Sequence, residues 1–278
     1  MPLYKPRELL AYLTSLGIQP KKALSQNFLI DHNIIERIVK AAGVVSGDLV
    51  VEIGPGPGAL TEELLKRGAT VIAIEKDPQL AKGLGEALAS PHLTVHCEDV
   101  LSFDFTRQLQ GLKKAKIIAN LPYRITTPIL TKCIAMDELF SELTLMVQDE
   151  VAHRIVAEKN SKDYSSLTLY LQLYAKARYC FKVSSHCFYP KPSVESAVVN
   201  FKLQKPLLKP CDLEGVNRMI KRAFEQRRKL LTSSLSLLYD PEQIRAALAQ
   251  IGKTATARPQ ELTCDEFIAL YQAIVANG

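Results

Sequence analysis

Four consecutive residues, Asn120-Leu121-Pro122-Tyr123, have types and an order that suit one reaction: methylation of the exocyclic amine of a purine. Adenine N6 is a poor nucleophile because its lone pair is delocalised into the ring. Two acceptors, the Asn120 side chain and the Leu121 carbonyl, would hold both amine hydrogens and turn the lone pair toward an electrophile. Pro122 fixes its own φ and biases Leu121 toward an extended conformation, which aims that carbonyl. Tyr123 offers a flat face on which the base stacks. The matching electrophile is a sulfonium methyl attacked in line, its charge eased by aromatic faces and backbone carbonyls. No covalent intermediate and no strong base is needed, since the methylated ammonium loses its proton readily. His32, His92, His96, His153 and His186 are scattered along the chain and are expected to pack or to face solvent. The bland alternative for the tetrapeptide is a strand-end turn without chemistry.

A second cluster lies about sixty residues earlier. Glu52-Ile53-Gly54-Pro55-Gly56-Pro57-Gly58 follows an apolar run and precedes a helix pattern, so Gly54 and Gly56 let a ligand approach the backbone. Gly54, Gly56 and Ala59 also satisfy a looser dinucleotide-binding pattern, and this stretch alone does not separate a nicotinamide or flavin enzyme from a methyltransferase. Glu75 closes the next apolar run about twenty residues on, where a carboxylate can accept from both hydroxyls of a ribose, the alternative being a solvated charge at a strand end. Asp99 is placed to accept from an adenine amino group, or to cap the turn after it.

These residues need a scaffold that brings the ends of several strands together. Leu49 to Ile53 reads as a buried strand, and Thr70 to Ile74, Leu93 to Val95, Lys116 to Ala119 and Leu143 to Val147 read as further strands alternating with helices. The pattern predicts an α/β fold, a Rossmann-like doubly wound domain with a mostly parallel sheet. Asp31 reads as the N-cap of a helix through Ile34, Ile35, Ile38 and Val39, after a basic, partly helical leader spanning residues 1–30. Past Tyr164 the pattern turns β-rich and ends in Ser196 to Phe201. A linker with Pro206 and Pro210 comes next, and everything beyond it is helix-patterned. The expected domains are therefore 1–205 and a small all-helical 206–278.

The chain has 278 residues, 35 Lys and Arg against 29 Asp and Glu, and a net charge of +6, a modest bias toward a polyanionic partner. No run approaches the ~18 apolar residues of a membrane span. The first ten residues do not form a secretory signal, and a cytoplasmic location is expected. The six cysteines show no CxxC pair and no zinc spacing, so they are expected to be reduced, with no metal. Without a heptad or a long exposed apolar stripe, a monomer is expected.

At these residues the chain closely resembles the ribosomal RNA adenine dimethyltransferase family. The likeness runs through Ser25-Gln26-Asn27-Phe28-Leu29-Ile30-Asp31, Glu52 to Thr61, Glu75, Glu98-Asp99 and Asn120 to Tyr123. It continues in Phe188-Tyr189-Pro190-Lys191-Pro192-Ser193-Val194-Glu195-Ser196 and in Phe224 to Leu231. The resemblance implies that Asn27, Leu29, Gly54, Gly56, Glu75, Asp99 and Asn120 line a pocket for S-adenosylmethionine. It implies that Asn120, Leu121, Pro122 and Tyr123 touch the target adenine and that Phe188 stacks on its other face. From the residues alone, Phe188 could equally be a core plug. One departure is visible: after Tyr164 the family usually places a glycine, and this chain has Ser165 and Ser166.

The implied substrate is two adjacent adenosines, each dimethylated, in a terminal hairpin loop of 16S-type rRNA, and the implied partner is an immature small ribosomal subunit. Arg218, Lys221 and Arg222 fall on one helix face, and Arg227, Arg228 and Lys229 come close behind. With Lys21 and Lys22 beside the entry loop they form a candidate set of phosphate contacts, the alternative being an ordinary solvated face. A target adenine must be unpaired or flipped at a cost of a few kcal/mol, which stacking offsets by about 1–3 kcal/mol per base. Competing readings are a large-subunit rRNA adenine methyltransferase and a non-catalytic RNA-binding or assembly factor on the same fold.

Overall fold

The computed structural model describes residues 3–18, 26–206 and 208–276. In chain order it begins with helix α1 (Pro6–Ser15), strand β1 (Phe28–Leu29), α2 (His32–Ala41), β2 (Leu49–Ile53), α3 (Ala59–Lys66), β3 (Thr70–Glu75), α4 (Pro78–Leu88) and β4 (Leu93–Cys97). It continues through α5 (Phe105–Gln108), β5 (Ala115–Asn120), α6 (Thr126–Ile134), β6 (Phe140–Gln148), α7 (Asp149–Ile155), α8 (Ser166–Tyr174), β7 (Ala175–Val183), β8 (Phe188–Tyr189) and β9 (Ser196–Leu203). The helices α9 (Pro210–Glu225), α10 (Leu231–Ser234), α11 (Pro241–Gln250) and α12 (Cys264–Ala276) complete it.

The strands form a seven-stranded sheet in the order β4-β3-β2-β5-β6-β9-β7. From β4 to β6 all pairs are parallel, and β9 joins β6 antiparallel. Both faces of the central strands are covered, which is why β2, with the sequence Leu-Val-Val-Glu-Ile, is buried at all five positions. The order reverses at β2, between β3 and β5, and this is the switch point at which open α/β sheets leave a crevice beyond their carboxyl ends. Helix starts are fixed by side chains: the Asp31 carboxylate accepts from the Asn33 and Ile34 N–H groups, and Asp77 accepts from Gln79 and Leu80 ahead of Pro78.

The chain separates into two compact units. One comprises Met1–Ala152 and Ala177–Leu203, and the other His153–Lys176 and Gln204–Gly278. The helical unit therefore takes in residues 153–176, a segment the sequence pattern assigned to the first domain. The reason lies in burial: α8 packs against α9 and α12, and the buried Tyr164 donates from its hydroxyl to the Leu262 carbonyl at 2.9 Å. The segment after Tyr164 is also helical before it becomes β7. Ser165, standing where a glycine was expected, caps α8: its Oγ accepts from the Thr168 N–H, and its own N–H donates to Thr168 Oγ1 at 3.1 Å. All six cysteines are unpaired. No helix among the described residues is long and apolar enough to cross a membrane, and these residues contain no cluster of three or more potential metal ligands.

Candidate active site

The crevice is built on the carboxyl ends of β2, β3, β4 and β5. Gly54, Gly56 and Gly58 all have positive φ, at 67°, 57° and 99°, so the chain leaves β2 by a route that side chains disfavour. The tight turn aims the Gly56 N–H at the Glu75 carboxylate, with Gly56 N to Oε2 at 3.0 Å, while Asp77 N donates to Oε1 at 2.8 Å. A Cβ on Gly56 would stand 3.1 Å from the ring of Phe28, so the glycine is also where β1 approaches the turn. Glu75 is 7% exposed. Burial raises its carboxyl pKa above the usual range, against the pull of the Asp77 and Gly56 N–H groups. The carboxylate keeps acceptor capacity for a further donor.

Beneath it, Glu52 is 1% exposed and accepts from Thr61 Oγ1 at 2.6 Å. Burial pushes its carboxyl up to about 8, against the Thr61 hydrogen bond and with a contribution from the Glu75 charge. Burial thus favours the protonated form of Glu52 on the wall of the crevice. At the rim, Asp99 Oδ1 accepts from the Leu101 N–H at 2.9 Å and Oδ2 from Lys76 Nζ at 2.7 Å. The ammonium holds the Asp99 carboxyl below its ordinary value.

Asn120 ends β5. Its Nδ2 donates to the Asn27 carbonyl at 3.0 Å. A carbonyl only accepts, so the amide has one sensible orientation, and Oδ1 is left as an acceptor. The Leu121 N–H is used by the Met146 carbonyl at 3.2 Å. Pro122 stands at φ −58°, and its carbonyl accepts from Ile125 N at 3.0 Å and from Thr126 Oγ1, which starts the turn Tyr123–Ile125. The Tyr123 hydroxyl is 2.7 Å from Ser196 Oγ, so the ring is tethered to the first residue of β9.

A cavity of about 390 Å³ joins these parts. Asn27, Leu29, Gly54, Gly56, Glu75, Asp99 and Asn120 all line it, as do Leu121, Pro122 and Tyr123. Its lining carries four carboxyl groups, Glu52, Glu75, Glu98 and Asp99, among mostly apolar neighbours. Carboxylates for hydroxyl donors, a glycine cradle and an acidic, partly apolar wall suit a nucleoside that bears a cationic sulfonium.

The model of the ribosomal RNA adenine dimethylase family matches residues 17–272. The chain belongs to this family. A protein of Protochlamydia amoebophila (strain UWE25) called ribosomal RNA small subunit methyltransferase A is 49% identical over 282 residues, covering 100% of this chain and 99% of that protein. A Chlamydia felis protein of the same name is 43% identical over 276 residues, covering 98% and 96%. Among solved structures, the 23S rRNA methyltransferase ErmE superposes with a TM-score of 0.71 at 29% identity, over 90% of this chain and 100% of that one. A Plasmodium falciparum dimethyladenosine transferase superposes at 0.73 with 24% identity, over 87% and 95%, a likeness of fold. The protein is thus an enzyme, an rRNA adenine dimethyltransferase, with an α/β methyltransferase fold.

In this dimethyltransferase not every residue expected at the site is found there. Phe188 is not on the cavity: it is 3% exposed and packs in the core with Leu29, Ile34 and Val198. The antiparallel β1–β8 pair explains this, because its register sets Leu29 against Phe188 and Phe28 against Tyr189. Side chains alternate along such a pair, so Phe188 turns inward while Phe28 faces the crevice. The basic residues also divide. Arg218, Lys221, Arg228 and Lys229 are exposed. Arg222 pairs with Glu225, and Arg227 donates to the carbonyls of Lys162 and Ser161, which makes Arg227 a brace inside the helical unit. Lys21 and Lys22 lie outside the described residues.

Among the lining residues to which sequence reasoning gave no role are Phe28, Glu52, Lys76 and Arg124. Phe28 and Glu52 stood inside recognised motifs without a role. Lys76 comes directly after Glu75 and Arg124 directly after Tyr123, so adjacency was the available signal.

Proposed function

We propose that this enzyme dimethylates the N6 amines of two adjacent adenosines in a 3'-terminal hairpin loop of 16S-type rRNA. We further propose that it works as a metal-free monomer in the cytoplasm, on a nearly mature small subunit. The observation that carries this reading is the Asn120 amide, whose Nδ2 is tied to the Asn27 carbonyl so that Oδ1 remains to accept an N6 hydrogen. The Leu121 carbonyl is the second acceptor, and the tethered Tyr123 ring is the stacking face. Asn27, Leu29, Gly54, Gly56, Glu75 and Asp99 hold S-adenosylmethionine, Glu75 through the ribose hydroxyls and Asp99 through the adenine amino group, which shares that carboxylate with Lys76. When bound, S-adenosylmethionine supplies an electrophilic methyl. The residues of the chain orient the amine lone pair and keep its hydrogens occupied, and the proton leaves the alkylated nitrogen without a dedicated base. Exposed Arg218, Lys221, Arg228 and Lys229 serve as phosphate contacts of the helical unit.

Small-subunit RNA is favoured by the names of relatives at 43–49% identity, whereas the likeness to ErmE supports a large-subunit target. The test is transfer of label from methyl-labelled S-adenosylmethionine to unmodified small subunits, with dimethyladenine mapped in the product. Label appearing in large-subunit RNA instead overturns the substrate assignment. Asn120→Ala is expected to abolish transfer while RNA binding persists, and undiminished turnover in that variant would refute the role of the amide.

A further inference from the structure

We infer that Arg124 is an oxyanion-binding residue at the cavity mouth and that it grips a backbone phosphate of the RNA next to the inserted adenosine. Among the described residues, the cavity lining has two cationic side chains, Lys76 and Arg124. Lys76 is committed: its ammonium lies 2.7 Å from Asp99 Oδ2. Arg124 is exposed, lines the cavity and has no hydrogen-bond or ion-pair partner among the described residues. Every other ionisable group on this wall is a carboxyl or the Tyr123 phenol.

That distribution poses an electrostatic problem which Arg124 answers. A lining with Glu75, Glu98 and Asp99 repels a polyanion that must come close enough to place one base inside. Arg124 is the residue immediately after Tyr123, the stacking face, in the short turn Tyr123–Ile125. A nucleotide's phosphate lies one ribose away from its base, so a cation one residue beyond the stacking ring stands where the phosphate arrives. A guanidinium matches a phosphate with two parallel N–H donors, and it remains charged at any working pH. The turn is anchored by the Ile125 N–H to Pro122 carbonyl bond and by the Tyr123 to Ser196 tether, so the cation is delivered from a fixed base.

The other oxyanion within reach of such a site is the carboxylate of the methyl donor, and the experiment separates the two. This inference rests on the proposed reaction, so wild-type enzyme is first required to methylate small subunits; failure there sinks the proposed function and is distinguishable from failure of the Arg124 assignment. With active wild type, Arg124→Ala is expected to raise KM for the subunit roughly tenfold, with the loss falling on KM rather than on kcat. The dependence of log kcat/KM on log salt should become shallower by about one unit, as for one lost phosphate contact. Arg124→Lys, which keeps the charge and loses the fork, should recover part of the KM and the salt slope. Binding of S-adenosylmethionine to the full chain without RNA, measured by calorimetry, should be unaltered in Arg124→Ala. An unchanged KM and salt slope in the alanine variant would overturn the assignment. So would weakened S-adenosylmethionine binding together with a subunit KM restored at saturating donor, which would assign Arg124 to the donor's carboxylate.

Discussion

Replacing Glu52 by glutamine isolates the cost of keeping an acid on the wall of the crevice. Glu52 is 1% exposed, and burial lifts its carboxyl from 4.5 in the ordinary state to about 8. In the folded protein it therefore binds a proton that the unfolded chain has already lost anywhere between those two values. Stability contributed by that proton is fully present below the unfolded value, falls as pH rises, and is gone above the folded one. At about 1.4 kcal/mol per unit the whole span corresponds to about 5 kcal/mol, of which about 3–4 kcal/mol falls between about pH 5 and pH 8. The amide of the Glu52→Gln variant keeps an acceptor for the Thr61 hydroxyl and cannot titrate. Any packing penalty of the amide shifts the stability of the variant equally at every pH, so the slope is the signal. Urea unfolding of both proteins across that pH range should show the wild type losing about 3–4 kcal/mol more than Glu52→Gln. Superimposable pH slopes would mean that Glu52 is ionised in the native state near neutrality, and the reasoning from burial would be refuted.

Two further outcomes rest on the same kind of geometry. Gly58→Ala, at φ 99° with its new Cβ clashing with Leu84 Cδ1, should cost about 1–3 kcal/mol in urea unfolding; a wild-type midpoint would show that the turn relaxes freely. Arg227→Ala, which removes two bonds to the Ser161 and Lys162 carbonyls, should destabilise the helical unit by about 1–3 kcal/mol and leave the salt dependence of RNA binding unchanged; a shallower salt slope with normal stability would return Arg227 to the phosphate contacts.

The central strands of the parallel sheet were legible because they are buried on both faces and so appear as mostly apolar runs: Leu49 to Ile53 and Lys116 to Ala119 fall inside β2 and β5. That the glycine turn, Glu75, Asp99 and Asn120 would line one crevice was legible because a strand end followed by a turn leaves few places for a polar side chain to point. Phe188 was not, since its direction depends on pairing with β1, a two-residue strand far away in the chain with no periodicity of its own. Arg227 was not, because its carbonyl partners at Ser161 and Lys162 belong to a segment whose helix begins only at Ser166, where the pattern read as strand. The signal for that helix was present as Ser165 and Thr168 at capping-box spacing.

The arrangement divides two binding tasks by charge. Inside the cavity, the proposed function has acidic groups accept from ribose and amine donors and tolerate a sulfonium. The protonated Glu52 keeps a second full negative charge from being added next to Glu75, where it would drive the Glu75 carboxyl still higher and blunt it as an acceptor. Outside, the same acidity works against the substrate, because RNA arrives as a chain of phosphates. A base can therefore enter only as an uncharged, flat group, and its backbone must be held off the carboxylates by a cation on the wet side of Tyr123. Arg124 is the residue so placed among those described, while Lys76 is spent on Asp99. Without the Arg124 charge the mouth would be left acidic, and base entry would lose its electrostatic guide.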